Sequence, residues 1–174
     1  MKKLLLISLL LSSVNAFALN SIANSEVVSY EIKQMNVPVS GKFPHSKIDF
    51  TFDDTKLAQS KVNVTLPIKE ISVPSDEAKS IVHGKEWFNT TAFPNATFVS
   101  SKFEMKDKNH FIAEGNLNIK GKNKIVKIPF VINGKDITGQ LNFNRSDFGL
   151  GEGDWSDTSI VSNDIKVTFK FSTK

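Results

Sequence analysis

The chain has 174 residues, 22 Lys and Arg against 18 Asp and Glu, a formal charge of +4, and no cysteine. That length suits one domain whose core needs no disulfide staple, and the missing thiols exclude thiol redox chemistry. The basic residues are scattered, without a block of five or more like charges, so the footprint of a nucleic-acid binder is absent.

Lys2 and Lys3 precede an apolar run from Leu4 to Leu11, broken only by Ser8, and Ala16-Phe17-Ala18 closes the segment. This order predicts a signal peptide over residues 1–18, cleaved after Ala18. The run is too short to span a bilayer, and no later segment reaches the required length. The expectation is a periplasmic protein with no stable membrane insertion. No cysteine follows the run to take a lipid anchor, and loss of Lys2 and Lys3 lowers the charge from +4 to +2. Residues 19–174 are then one domain.

From Val28 the chain alternates apolar and polar residues. Val28, Tyr30 and Ile32 come first, then Ile48, Phe50 and Phe52, then Val62, Val64 and Leu66. Pro74-Ser75-Asp76-Glu77 opens a segment running to about Phe88, with Ser75 as a helix cap and Ala78, Ile81 and Val82 at helical spacing. Phe93-Pro94 restarts extended chain. Residues 95–105 and 124–132 are less regular strands, while Phe111 to Ile119, Ile137 to Phe143 and Ile165 to Phe171 alternate cleanly. Turn signals fall at Gly41-Lys42, Asp53-Asp54, Asp107-Lys108-Asn109, Gly121-Lys122-Asn123 and Asn133-Gly134-Lys135. The pattern predicts an all-β fold, an eight-stranded antiparallel barrel with one short helix between strands 3 and 4. One Tyr and two Trp make no aromatic girdle, and the 14 Phe mostly follow the apolar face, so the greasy side points inward.

Several stretches resemble the YceI-like family of exported, lipocalin-like proteins. Val39-Ser40-Gly41-Lys42-Phe43 followed by Ile48 to Asp53 is similar to its Gly-x-Phe turn and second strand. His83 to Phe88 followed by Phe93-Pro94-Asn95-Ala96-Thr97-Phe98 is similar to its helix end and Tyr-Pro-x-x-x-Phe strand start. Gly115 to Gly121 matches a Gly-x-Leu-x-Ile-x-Gly hairpin, and Asn144 to Gly149 an Arg-x-Asp-Phe-Gly signature. Two places depart from the pattern. Asp76-Glu77-Ala78-Lys79 stands where the family often has an Arg-Asp pair, and Trp87-Phe88 replaces two phenylalanines.

The resemblance implies a barrel around an apolar pocket that binds a polyisoprenoid-type lipid, a prenylated (ubiquinone-like) quinone or a polyprenyl phosphate, with no other cofactor. On that reading the ligand-facing set is Tyr30, Phe52, Val64, Phe98, Leu117, Ile119, Leu141, Phe143 and Phe169 from the strands. Trp87, Phe88, Arg145, Phe148 and Trp155 complete it at the rim. A homodimer is compatible with the sequence. The alternatives are a barrel with a filled core acting as a protein-interaction or stress-related module, and an enzyme acting on a lipid headgroup.

Arg145 is the one arginine among 21 lysines. It ends the run Leu141, Phe143, Arg145, which places it on the apolar face, where a guanidinium must be paired. A carboxylate such as Asp147, Asp154 or Asp157 is one expected partner, and a ligand headgroup is the other. Asp147-Phe148-Gly149 lacks the other kinase motifs. Gly149, Gly151 and Gly153 do not open a helix as a nucleotide cradle does, so they read as a sharply turning loop. His45, His83 and His110 show no metal-ligand spacing, and no catalytic triad or carboxylate pair stands out. The protein is therefore read as non-enzymatic and metal-free.

Overall fold

Alternation of apolar and polar side chains commits most of this chain to sheet, because a strand sends successive side chains to opposite faces. A computed structural model describes the backbone of residues 19–25 and 28–173, with side chains from Val28 to Thr173. The expected leader, residues 1–18, lies outside the described residues.

The strands are β1 (Leu19–Ser25), β2 (Val28–Gln34), β3 (Val37–Phe43), β4 (Ser46–Phe52), β5 (Lys61–Pro67), β6 (Asn95–Met105), β7 (His110–Ile119), β8 (Lys122–Asn133), β9 (Asp136–Asn144) and β10 (Asp164–Ser172). The helix α1 (Asp76–His83) lies between β5 and β6. All ten strands form one curled antiparallel sheet in the order β1-β4-β5-β6-β7-β8-β9-β10-β2-β3. The all-β reading with one short helix holds, and the strand count rises from eight to ten.

The two additional strands have physical reasons for escaping notice. β1 carries Asn20, Ser21, Asn24 and Ser25 and lacks a clean alternation. β3 contains Gly41-Lys42, read from sequence as a turn. The chain instead reverses at Met35-Asn36, whose φ values of 48° and 64° are those of a two-residue hairpin loop. Gly41 serves a close approach: a Cβ there would lie 2.1 Å from the Ser72 carbonyl oxygen and 2.6 Å from the Tyr30 ring. Similarly, the β7–β8 reversal is Lys120-Gly121, with φ of 50° and 75°, so Lys122 and Asn123 already belong to β8.

Curling needs local irregularity. Between Ser100 and Lys102 the β6–β7 register shifts by one residue, a bulge that bends the strand. Opposite the bulge, Gly115 leaves room for the Val99 carbonyl and the Phe98 ring. The ends of the ladder, β1 and β3, are not joined by a ladder among the described residues. Residues 68–74 lie against this side of the sheet instead. The Ser72 amide donates to the Lys42 carbonyl at 2.9 Å, and the Tyr30 hydroxyl donates to the Ser72 carbonyl at 2.8 Å.

On β4 every second residue from Ser46 to Phe52 is buried, and on β7 every second residue from Phe111 to Ile119. Phe50, Phe52, Phe103, Phe111, Phe130 and Phe171 meet at one end, with ring centroids 4.8–6.2 Å apart. Mostly edge-on packing of this kind adds about 0.5–1.5 kcal/mol per pair beyond burial. These rings close the floor.

Candidate functional site

Above the phenylalanine floor the inward faces of the strands do not meet, and a cavity of about 570 Å³ remains. That is within the usual range of small-molecule sites. Tyr30 and Ile32 of β2, Val64 and Leu66 of β5, Phe98 of β6, Leu117 and Ile119 of β7, Leu141 and Phe143 of β9, and Val167 and Phe169 of β10 line it. One side is covered by Val73 and by Ala78, Ile81 and Val82 of α1, and Trp87, Phe88 and Trp155 stand beside them. Polar side chains on the wall are few: Gln34, Ser75, Glu77 and Thr97 join Tyr30. The Tyr30 phenol is committed to Ser72, and burial pushes its pKa up, so it stays neutral. The wall carries no cluster of acids and bases arranged for proton transfer.

Local chemistry fixes α1 over the cavity. The Ser75 hydroxyl accepts from the Ala78 amide at 3.1 Å, and Asp76 and Glu77 occupy the first turn, where the helix dipole favours anions. The helix stops at His83, short of the expected Phe88, and the chain then turns tightly. The Trp87 amide donates to the Gly84 carbonyl and the Phe88 amide to the Val82 carbonyl, both at 3.1 Å. Those turns bring Trp87 and Phe88 together on the wall.

Eleven of the fourteen residues expected to face a ligand line the cavity: Tyr30, Val64, Trp87, Phe88, Phe98, Leu117, Ile119, Leu141, Phe143, Trp155 and Phe169. Phe52, Arg145 and Phe148 are set behind the wall. Phe52 belongs to the floor, and Phe148 stands edge-on to Phe143 with centroids 5.3 Å apart. The sequence reading did not include Val73, Ala78, Ile81 and Val82. The helical spacing of Ala78, Ile81 and Val82 marks an apolar face without showing what it covers, and Val73, ahead of the helix, carries no such signal.

Arg145 departs furthest from expectation. β9 ends at Asn144, and a 3-10 turn over Arg145–Phe148 carries the side chain out of the strand's alternation. Arg145 is 2% exposed, and its guanidinium has no carboxylate partner among the described residues. Its five N–H groups all go to backbone carbonyls. Nε donates to Ser162 at 3.1 Å, Nη1 to Leu150 and Gly151 at 2.8 Å, and Nη2 to Trp155 at 2.7 Å and Val161 at 3.0 Å. Asp147 instead lies 3.8 Å from Lys124, and Asp157 accepts from Ser159. A fork of five donors satisfies the inward carbonyls of a loop that could not otherwise be buried. Desolvation pulls the Arg145 pKa down from its ordinary value, still leaving a cation.

The loop held this way is also tied to the cavity wall. The Glu86 carbonyl accepts from the amides of Gly151 and Glu152 at 2.8 and 3.0 Å, and Lys120 Nζ donates to the Gly149 carbonyl at 2.6 Å. Gly149, Gly151 and Gly153 have φ of 65°, 71° and 62°, the sharp turning expected of them. Among the described residues no three His, Asp or Glu side chains come close enough to hold a metal ion. No described helix is long and apolar enough to cross a membrane.

The chain is similar to known proteins in sequence and in fold. A UPF0312 protein of Shewanella oneidensis is 35% identical over 124 residues, 64% of this chain and 64% of that protein. The match thus spans just under two thirds of that relative's length. Among solved structures, Burkholderia cenocepacia BcnA superposes with a TM-score of 0.80 at 35% identity, over 86% of this chain and 98% of that one. A polyisoprenoid binding domain from Saccharophagus degradans, implicated in plant cell wall breakdown, has the same fold. Its TM-score is 0.64 at 10% identity, over 92% of this chain and all of that domain. The model of the YceI-like domain matches residues 19–173, so the chain belongs to the YceI-like family.

Proposed function

We propose that the protein binds an isoprenoid-type lipid, a prenylated quinone or a polyprenyl phosphate, without chemical turnover, and sequesters or ferries it after export to the periplasm. The observation that carries this reading is the cavity of about 570 Å³, floored by phenylalanines and walled almost wholly by aliphatic and aromatic side chains. A branched hydrocarbon suits such a wall, because each buried CH₂ contributes about 0.8 kcal/mol. At about −0.3 kcal/mol per heavy atom, a 40-atom lipid would bind with about −12 kcal/mol, a nanomolar affinity. The polyisoprenoid binding of the Saccharophagus domain supports the same ligand class.

Non-enzymatic binding is favoured because the polar groups on the wall are sparse and Tyr30 is engaged in a structural hydrogen bond. Arg145 is a poor headgroup clamp, since its donors are all used within the protein. Organic extraction and mass spectrometry of protein purified from its native host test the reading. A prenyl lipid at near-stoichiometric amount is expected. A lipid-free extract, with no uptake of a dansyl-labelled farnesol added afterwards, would overturn it.

A further inference from the structure

The wall of the sheet is incomplete between β8 and β9. β7 and β8 pair along ten positions, from His110↔Val131 to Ile119↔Lys122. β9 and β10 pair along nine, from Asp164↔Asn144 to Ser172↔Asp136. Between them, β8 and β9 pair at only four, from Asn133↔Asp136 to Phe130↔Gly139. Beyond the last pair the strands part, leaving residues 122–129 of β8 and 140–144 of β9 without a ladder between them. Five residues of strand correspond to a slot about 16 Å long. Pro129 is the first β8 residue past the paired stretch, and with no N–H it cannot donate to a ladder.

The slot combines an apolar stripe with a polar rim of Lys124, Asn142, Asn144, Asp147 and Asp164. Ile125 on its lip is 67% exposed, and a cleft of about 360 Å³ runs between Ile125 and Val126 on one side and Phe143 and Phe148 on the other. Phe143 lines both this cleft and the central cavity, so its ring is the partition between them. Lys124 of β8 lies 3.8 Å from Asp147, on the turn that follows β9, and spans the slot from outside. Both groups are about half exposed, so the pair is a weak latch rather than a lock.

We infer that the β8–β9 slot is a side portal through which the hydrocarbon chain of the ligand passes into the cavity, with Phe143 as its gate and Lys124–Asp147 as its latch. A lateral opening lets a long chain slide in edge-on, without displacing α1 and the Trp87 segment. Parting here breaks few hydrogen bonds, because the ladder is already absent. The inference rests on the lipid-binding reading of the cavity.

The test closes the slot. Continuing the four-pair register would set Lys127 opposite Asn142; both are exposed and neither lines the cavity. The chain has no cysteine, so Lys127→Cys with Asn142→Cys creates a unique pair. A short bis-maleimide with a cleavable disulfide staples them, and mass spectrometry scores the staple. Uptake of a dansyl-labelled farnesol from phosphatidylcholine vesicles is read by energy transfer from Trp87 and Trp155.

Stapled protein should load at least ten-fold more slowly, reach the same final occupancy, and recover on reduction. An unchanged rate in stapled protein would overturn the portal and leave the binding reading intact. No uptake even by unmodified protein would overturn the binding reading, and the portal with it. Lys124→Ala needs no cross-link and should quicken loading several-fold, and an unchanged rate there also counts against the gate.

Discussion

The guanidinium carbon of Arg145 lies 5.6 Å from the ring centroid of Trp87, so the residue that holds the 149–161 loop together also backs a wall residue of the cavity. The loop and the wall are one mechanical unit. We expect Arg145→Gln to cost about 3–5 kcal/mol, because several buried carbonyls lose their donors together. At about 2–4 °C per kcal/mol, the melting temperature falls by about 6–20 °C. Arg145→Lys should recover little of this, since an ammonium offers three donors in place of a planar fork of five. Thermal melts of both variants check the prediction. An unchanged melt with weakened lipid binding would move Arg145 back to the ligand.

Gly151 tests the same unit from the other side. Its φ is 71°, and a Cβ there would lie 2.3 Å from Arg145 Nη1. Gly134 has a similar φ of 62° with nothing within 4 Å of a Cβ. Gly134→Ala therefore carries only the backbone strain, about 1 kcal/mol. Gly151→Ala adds displacement of the guanidinium and should cost at least twice as much. Combined with Arg145→Gln, its effect should be clearly less than additive, because the second change finds the network already broken. Equal costs at the two glycines in denaturant titrations would contradict this account.

Much of this was legible in the chain, for reasons that differ by residue. Ile48, Phe50 and Phe52 announce a half-buried strand because burial and strand geometry share one period. Ser75 announces a helix start because capping is local. Gly41 misled because its role is set by Ser72 and Tyr30, 31 and 11 residues away in sequence but touching in space. Arg145 misled because alternation ends with its strand, and because the sequence pattern advertises carboxylates while backbone carbonyls, its real partners, are anonymous. The parting of β8 from β9 was also out of reach, since each strand alone has an ordinary composition and only register reveals the slot.

The cavity makes its own prediction. Val64 sits mid-strand on β5 and lines the cavity. Val64→Trp points a large ring into open space rather than into packed core, so the lipid-free melt should move by no more than about 1 kcal/mol equivalent. Occupancy by dansyl-labelled farnesol should fall at least ten-fold. By contrast, Phe130→Ala removes a ring that four others touch in the floor, and should cost about 3–5 kcal/mol. A large stability loss in the Trp variant would mean that the cavity is not free space.

Tyr30 makes stability depend on alkaline pH. Its hydroxyl donates to the Ser72 carbonyl, where the loop over residues 68–74 meets β2 and β3. Burial raises its pKa above the ordinary 10.0, so the folded state holds the proton more tightly than the unfolded chain. The stabilisation linked to that proton is fully present below pH 10.0 and is lost as pH climbs through the raised folded value. Tyr30→Phe should cost about 0.5–1.5 kcal/mol at neutral pH, the worth of one hydrogen bond. It should also flatten the alkaline limb of the stability curve. Urea titrations of both proteins from pH 7 upward read the two effects separately, and a limb equally steep in the variant would assign the alkaline loss to other groups.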